Sequence, residues 1–213
     1  MILGYEWMVF RLNHSDILGI RNGADVLFRQ FFAMFNVYGF YMVGFVVTAT
    51  LIISYYFHKK EHPGKGLKSS YFALMLLESV AYAVLLFWIL DRIGRFTLQS
   101  GTVLDRRTMI ALALGAGVYE EFIFRVVLIG GAFFFLRNLL RFHSVSAIGG
   151  AILFSSILFS GFHYLGAQGD LFTWRSFVMR LVAGLMLAFL YVFRGYGIAA
   201  YTHTLYDFLI IML

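Results

Sequence analysis

Long uncharged apolar runs alternate with short polar, mostly basic segments along this chain, and the runs have the length of a bilayer-crossing helix. Phe31 to Phe57 contains no charged residue and exceeds the roughly 20 residues a helix needs to cross hydrocarbon. It ends in His58-Lys59-Lys60-Glu61-His62-Pro63-Gly64-Lys65, a basic, helix-breaking loop. Further runs cover Tyr71 to Leu90, Met109 to Leu136, Ala147 to Leu165, Phe177 to Phe193 and Ile198 to Leu213. Ahead of them Met1 to Gln30 is mixed: Ile17, Leu18, Ile20, Val26 and Leu27 alternate with Asp16, Arg21, Asp25 and Arg29. That pattern fits an interfacial amphipathic helix or an ordered arm without function. The expectation is an all-α fold, a polytopic transmembrane helical bundle of about six spans plus an N-terminal interfacial helix. It forms one membrane domain: an arm over 1–30, two accessory spans over 31–107, and a motif-bearing core over 108–213.

Composition strengthens this picture. The chain is 61% hydrophobic and 13% charged, against about half and a quarter in soluble domains. A net charge of +6 would raise nucleic acid as a partner for a soluble protein. Here Lys and Arg sit between apolar runs, where they meet anionic lipid headgroups, so the bilayer is the expected partner and nucleic acid is not. The absence of cysteine excludes disulfides, thiolate metal sites and a thiol nucleophile. The first residues carry Glu6, Arg11, Asp16, Arg21 and Asp25, which does not resemble a cleavable signal peptide.

Polar groups at membrane depth are informative because each must be satisfied inside the protein. Three late segments carry them: Glu120, Glu121 and Arg125 in one, His163 in the next, His203 and Asp207 in the last. On a helix, Glu121 and Arg125 stand at i,i+4 with the acid first, the better orientation for that pair. Glu120 points about 100° away, so the same arginine serves it less well and it stays free to exchange a proton. His203 and Asp207 also share a face at i,i+4, and a carboxylate commonly orients an imidazole. Taken singly, each has a bland explanation: a charged helix end, a packed histidine, a satisfied pair. Taken together, two histidines and several carboxylates in a bundle interior suggest water activation, directly or on a metal. Two other polar features stand apart: Glu78, within the second run, and His58 with His62, whose spacing suits a metal on a helix but whose neighbours Pro63-Gly64 suit a loop.

Glu-Glu-x-x-x-Arg at 120–125, Phe-x-x-x-His at 159–163 and His-x-x-x-Asp at 203–207, in that order on late membrane segments, resemble the motifs of the CPBP family. These are the CAAX prenyl proteases and bacteriocin-processing (Abi) intramembrane glutamate endopeptidases. The likeness covers roughly Met109 to the C-terminus, with Arg194-Gly195 and Ile198-Ala199-Ala200 leading into the last motif. It implies an intramembrane endopeptidase acting on a membrane-presented protein or peptide. In that role Glu120 and His163 would activate the water, and His203, with Asp207, would bind the developing oxyanion. Glu121 and Arg125 would support the site and Phe159 would pack beside His163. The family pattern implies no metal; a divalent ion such as zinc is the alternative, held by Glu120, His163, His203 and Asp207. Asp207 departs from the Asn of the best-understood prenyl proteases, and an ionised Asp accepts hydrogen bonds without donating any. Two other classes stay open: a non-proteolytic scaffold or immunity-type protein on the same fold, and a proton-coupled carrier using Glu78, Glu120 and the histidines. Oligomeric state is not legible in the sequence.

Overall fold

The computed structural model describes residues 1–12, 21–36, 42–61, 69–94, 105–165 and 169–213. These form helices and no strand. In chain order they are α1 (Ile2–Leu12), α2 (Gly23–Ala33), α3 (Met42–Glu61), α4 (Ser69–Ile93), α5 (Arg106–Leu139), α6 (Ser144–Phe162), α7 (Trp174–Arg194) and α8 (Tyr196–Met212). Four stretches among the described residues are long and apolar enough to cross a membrane: Ser70–Ile93, Arg106–Leu139, Ser144–Phe162 and Trp174–Arg194. The apolar part of α3, Gly44–Phe57, is shorter, and α8, at 17 residues, is at the short end of what a bilayer needs. The chain is an all-α polytopic bundle, as its hydrophobic pattern predicts.

One expectation is corrected. Phe31 to Phe57 is not one helix. The chain leaves α2 at Ala33 and turns through Asn36, which adopts φ +57°. Asparagine tolerates that left-handed conformation better than most side chains. Lack of charge says how apolar a segment is, not whether its helix is continuous. The N-terminal helices pack directly on the bundle. Helix α1 packs on the start of α5, and α2 packs on residues 116–120. Tyr5, Val9 and Ala24 share a buried cluster with Val47, Val118, Tyr119 and Phe122.

Of the charges that suggested an interfacial helix, Arg21, Asp25 and Arg29 are matched to one another. Tyr5 Oη donates to Asp25 Oδ2 (2.9 Å), which also accepts from Arg21 Nη1 (2.6 Å), and Arg29 Nε donates to Asp25 Oδ1 (2.8 Å). Tyr119 Oη donates to Glu6 Oε1 (2.7 Å), and Arg21 and Arg29 each come within 3.9 Å of a Glu6 oxygen. Buried charge is tolerated when paired and hydrogen-bonded in this way. The His58–His62 pair lies outside the described side chains, as does most of the loop expected over Asp91 to Arg107. Asp91 and Arg92 themselves belong to the last turn of α4.

The motif-bearing half is held by two further clusters. Ala83, Leu86 and Leu90 of α4 meet Met179, Ala183 and Leu187 of α7 and Tyr206 of α8. Ile129 of α5 meets Ala151 and Ile152 of α6 and Ala188 of α7. Ser155 Oγ donates to the Phe124 carbonyl, Ser160 Oγ to the Phe177 carbonyl (2.7 Å), and Tyr196 Oη to the Val118 carbonyl (2.8 Å). These tie α6 to α5, α6 to α7 and α8 to α5. Helices α7 and α8 are separated by Gly195 alone, at φ +88°. Glycine supplies that conformation without a Cβ clash, so α8 folds straight back and brings His203 to the interior.

Candidate active site

The site begins with the local shape of α5. Over Ala116–Glu120 and again over Phe122–Ile129 the helix widens to π-type i→i+5 turns, with Glu121 at the junction. Such bulges often occur at functional sites. Here the two successive carboxylates find different partners inside the bundle. Glu121 Oε2 lies 3.0 Å from Arg125 Nε as an i,i+4 ion pair, and its Oε1 lies 2.8 Å from His203 Nδ1. Arg125, almost fully enclosed, also reaches the Gly184 carbonyl (3.5 Å) and lies over the Phe159 ring, 4.5 Å from its centroid. A carboxylate only accepts, so His203 presents Nδ1–H to Glu121 and its Nε2 faces away.

Glu120 points elsewhere. Its Oε1 accepts from Asn22 Nδ2 (2.8 Å), while its Oε2 faces His163 Nε2 at 4.0 Å with no direct hydrogen bond. His163 caps the end of α6, and its Nδ1 lies 2.8 Å from the Phe159 carbonyl. A carbonyl also only accepts, so Nδ1 carries a proton, and Nε2 is the nitrogen turned toward Glu120. Asp207, one turn beyond His203, brings Oδ2 to 3.8 Å from His203 Nε2. Phe159 is the common spacer: its ring lies edge-to-face against His163 (4.9 Å between centroids) and His203 (5.8 Å).

A cleft of about 490 Å³, including its open side, runs beside this array between α4, α6, α7 and α8. His163, His203, Asp207, Tyr206 and Arg180 give it polar points, and Leu86, Leu90, Met179, Ala183, Leu187 and Ile210 line the rest. Glu120 is not part of the lining, whereas His163, which it faces, is. A mostly apolar cleft with a few convergent polar groups is the usual form of a substrate site.

The seven residues of the three motifs thus meet in one region, in two groups on either side of Phe159. Glu120 faces His163, while Glu121 and Arg125 hold His203 beside Asp207. Glu78 is not with them. It forms a two-point ion pair with Arg194 (2.6 and 2.7 Å). Among the described residues no three His, Asp or Glu side chains are arranged to hold a metal ion. The four named as an alternative metal set form two pairs, Glu120 with His163 and His203 with Asp207, and each imidazole engages its Nδ1 and leaves its Nε2 free.

Sequence reading missed two contributors. Asn22 lies in the segment taken for an arm, and an asparagine there carries no signal until the fold sets it against Glu120. Arg180 pairs with Asp170, lies over the Tyr164 ring (5.0 Å to the centroid), and lines the cleft. As a charge within an apolar run it could have been flagged by the same logic that flagged Glu120.

A multi-pass helical bundle whose interior sets carboxylates beside imidazoles next to an apolar cleft has the groups that general acid–base chemistry requires. Residues 103–209 match the family model described as type II CAAX prenyl endopeptidase Rce1-like. The chain belongs to this family, and is an integral, multi-pass membrane protein of the CAAX-type protease class. No curated protein and no solved structure matches the chain.

Proposed function

We propose that this protein is a glutamate-type intramembrane endopeptidase in which Glu120 and His163 activate a water to cleave a peptide bond presented at the membrane. The observation that supports this most is the 4.0 Å separation between Glu120 Oε2 and His163 Nε2, each held from its other side. That distance is too long for a direct hydrogen bond and suits a single water donating to both. With both its hydrogens engaged, such a water turns a lone pair outward. Its oxygen attacks the carbonyl carbon, and its proton passes to the Glu120–His163 pair. That proton is then delivered to the departing amine as the C–N bond breaks, giving a carboxyl and an amino terminus.

His203 would serve the oxyanion. With Nδ1–H committed to Glu121, donation from Nε2 requires the imidazolium, whose charge the flanking Glu121 and Asp207 would balance. Asp207 as a carboxylate cannot donate, so in this scheme it acts on His203 rather than on substrate. Loss of one oxyanion donor typically costs about a hundredfold or more in kcat. The apolar cleft lining favours substrate segments with apolar side chains entering from the bilayer. No step is routed through a metal.

The test is a comparison of protein termini by mass spectrometry in membranes carrying wild type or Glu120→Gln at matched expression. Termini present only with wild type are expected, and they would name the substrate and the cleavage site. Identical termini from both, with both proteins folded, would move the assignment to a non-proteolytic scaffold on the same fold.

A further inference from the structure

We propose that Asn22 is a positioning residue for Glu120, so that the N-terminal helices complete the active site. The basis is the assignment of Glu120 as part of the water-activating pair. Asn22 lies outside the residues that match the family model, yet it makes a direct side-chain hydrogen bond to Glu120.

The orientation of its amide is fixed by the structure around it. Asn22 is the N-cap of α2, and its Oδ1 accepts from the Ala24 amide (2.9 Å). The NH2 end therefore has one direction left, toward Glu120 Oε1. The backbone of Asn22 is anchored in turn: its N–H donates to Tyr5 Oη (3.1 Å), and Tyr5 donates to Asp25. The segment is seated directly on α5, since a Cβ added at Gly115 would meet Tyr5 Cε2 at 2.6 Å and Asn22 Cβ at 2.7 Å. Only glycine permits this approach.

The two neighbouring carboxylates are thus held by opposite means. Glu121 is held by a cation, which keeps it a fixed counter-charge. Glu120 is held by a neutral amide, which fixes its rotamer and occupies one oxygen without supplying a full positive charge. The other oxygen, Oε2, is left as the one facing His163, and the 4.0 Å gap is maintained. Without the amide, rotation of the carboxylate would change that gap. Displacements on the order of 1 Å in a reacting array can cost about a hundredfold in rate.

The competing explanation is that Asn22 merely caps α2. Asp and Ser cap as well as Asn, so Asn22→Asp and Asn22→Ser separate the two. Asp preserves the cap and the reach but removes the donor, and Ser preserves the cap but is too short to span. The assay uses the full chain in proteoliposomes and a synthetic peptide carrying the cleavage site found by the termini comparison. The expected result for both variants is a kcat lower by about a hundredfold. KM should be little changed, because Asn22 does not line the cleft. For Asn22→Asp alone, the acid limb of the pH profile should also move to higher pH, because a second carboxylate faces Glu120. The other charged or titratable groups around Glu120 are His163 at the end of α6, His203 and Asp207 on α8, and Glu121 and Arg125 on its own helix; all are unaltered.

Glu120→Gln is run beside them. If Asn22→Asp turns over at the wild-type rate while Glu120→Gln is inactive, the positioning role is overturned and Glu120 keeps its own. If Glu120→Gln is active, both assignments fall. Should Asn22→Asp fail to fold, Asn22→Ser decides by the same kcat criterion.

Discussion

His203 is held through Nδ1 by Glu121, and Asp207 only approaches the opposite nitrogen. Sequence spacing favoured Asp207 as the orienting acid because i,i+4 neighbours are visible along a chain, whereas Glu121 lies 82 residues away. The two acids should therefore respond differently to removal of their charge. Glu121→Gln leaves Arg125 buried without its counter-charge, a change that typically costs about 3–5 kcal/mol. It is expected to lower both the thermal midpoint in detergent and the activity. Asp207→Asn keeps shape, restores a donor beside His203, and is expected to retain activity within about threefold, well inside the effect of losing one oxyanion donor. Equal damage from both variants would mean that the Nδ1 contact does not dominate the placing of His203.

At the scale of the element, the close approach of α5 to α8 decides whether the two halves of the site meet. Gly117 lies in the widened part of α5. A Cβ there would overlap Thr204 Oγ1 and come within 2.6 Å of the Ala200 carbonyl on α8. Because the second obstacle is backbone, a side-chain shift cannot relieve it. Gly117→Ala is expected to cost about 1–3 kcal/mol by overpacking and to reduce turnover, since it pushes the carboxylate-bearing helix away from His203. Gly130 and Gly131 sit further along the same helix, where an added Cβ would meet nothing within 4 Å. Gly130→Ala should unfold no earlier than wild type. Thermal unfolding and activity of the two variants, side by side, measure the effect of the interface apart from that of helix propensity. The histidine that caps α6 depends on a similar logic: Ser155 and Ser160 fasten that helix to α5 and α7, so His163 at its end faces Glu120.

For the molecule as a whole, the N-terminal helices join the core through a buried polar cluster whose stability should depend on pH. Glu6, on α1 and outside the candidate spans, has its carboxyl pushed above its ordinary range by burial, despite the Tyr119 hydrogen bond and the nearby Arg21 and Arg29; Asp25 adds to the upward push. A carboxyl that binds its proton more tightly folded than unfolded stabilises most below its unfolded value. That contribution is lost as pH rises through the folded value. Gln at position 6 still accepts from Tyr119 but has no charge to desolvate. Glu6→Gln is therefore expected to match wild type near about pH 4 and to melt higher near about pH 7. Unfolding scans at the two values check this, and a variant that melts lower at neutral pH would show that the two arginines outweigh burial.

The sequence alone determined the membrane class, the helical architecture and the family, and it singled out the motif residues that the fold brings into one region. Each follows from a one-dimensional signal: run length against bilayer thickness, the cost of a charge in hydrocarbon, and the order of three short motifs. Where a signal was ambiguous in one dimension, the structure decided. Uncharged residues 31–57 did not reveal the turn at Asn36, because hydropathy is blind to backbone direction. The charges at Arg21, Asp25 and Arg29 gave no sign along the chain of their pairing with one another and with Glu6, which exists only in space. The i,i+4 spacing identified Glu121 with Arg125, but the third partner, His203, comes from another helix. Asn22 carries no signal of its own. Its place against Glu120 exists only because Tyr5, Gly115 and the cap of α2 seat that segment on α5, and such contacts between distant parts of the chain are what tertiary packing supplies.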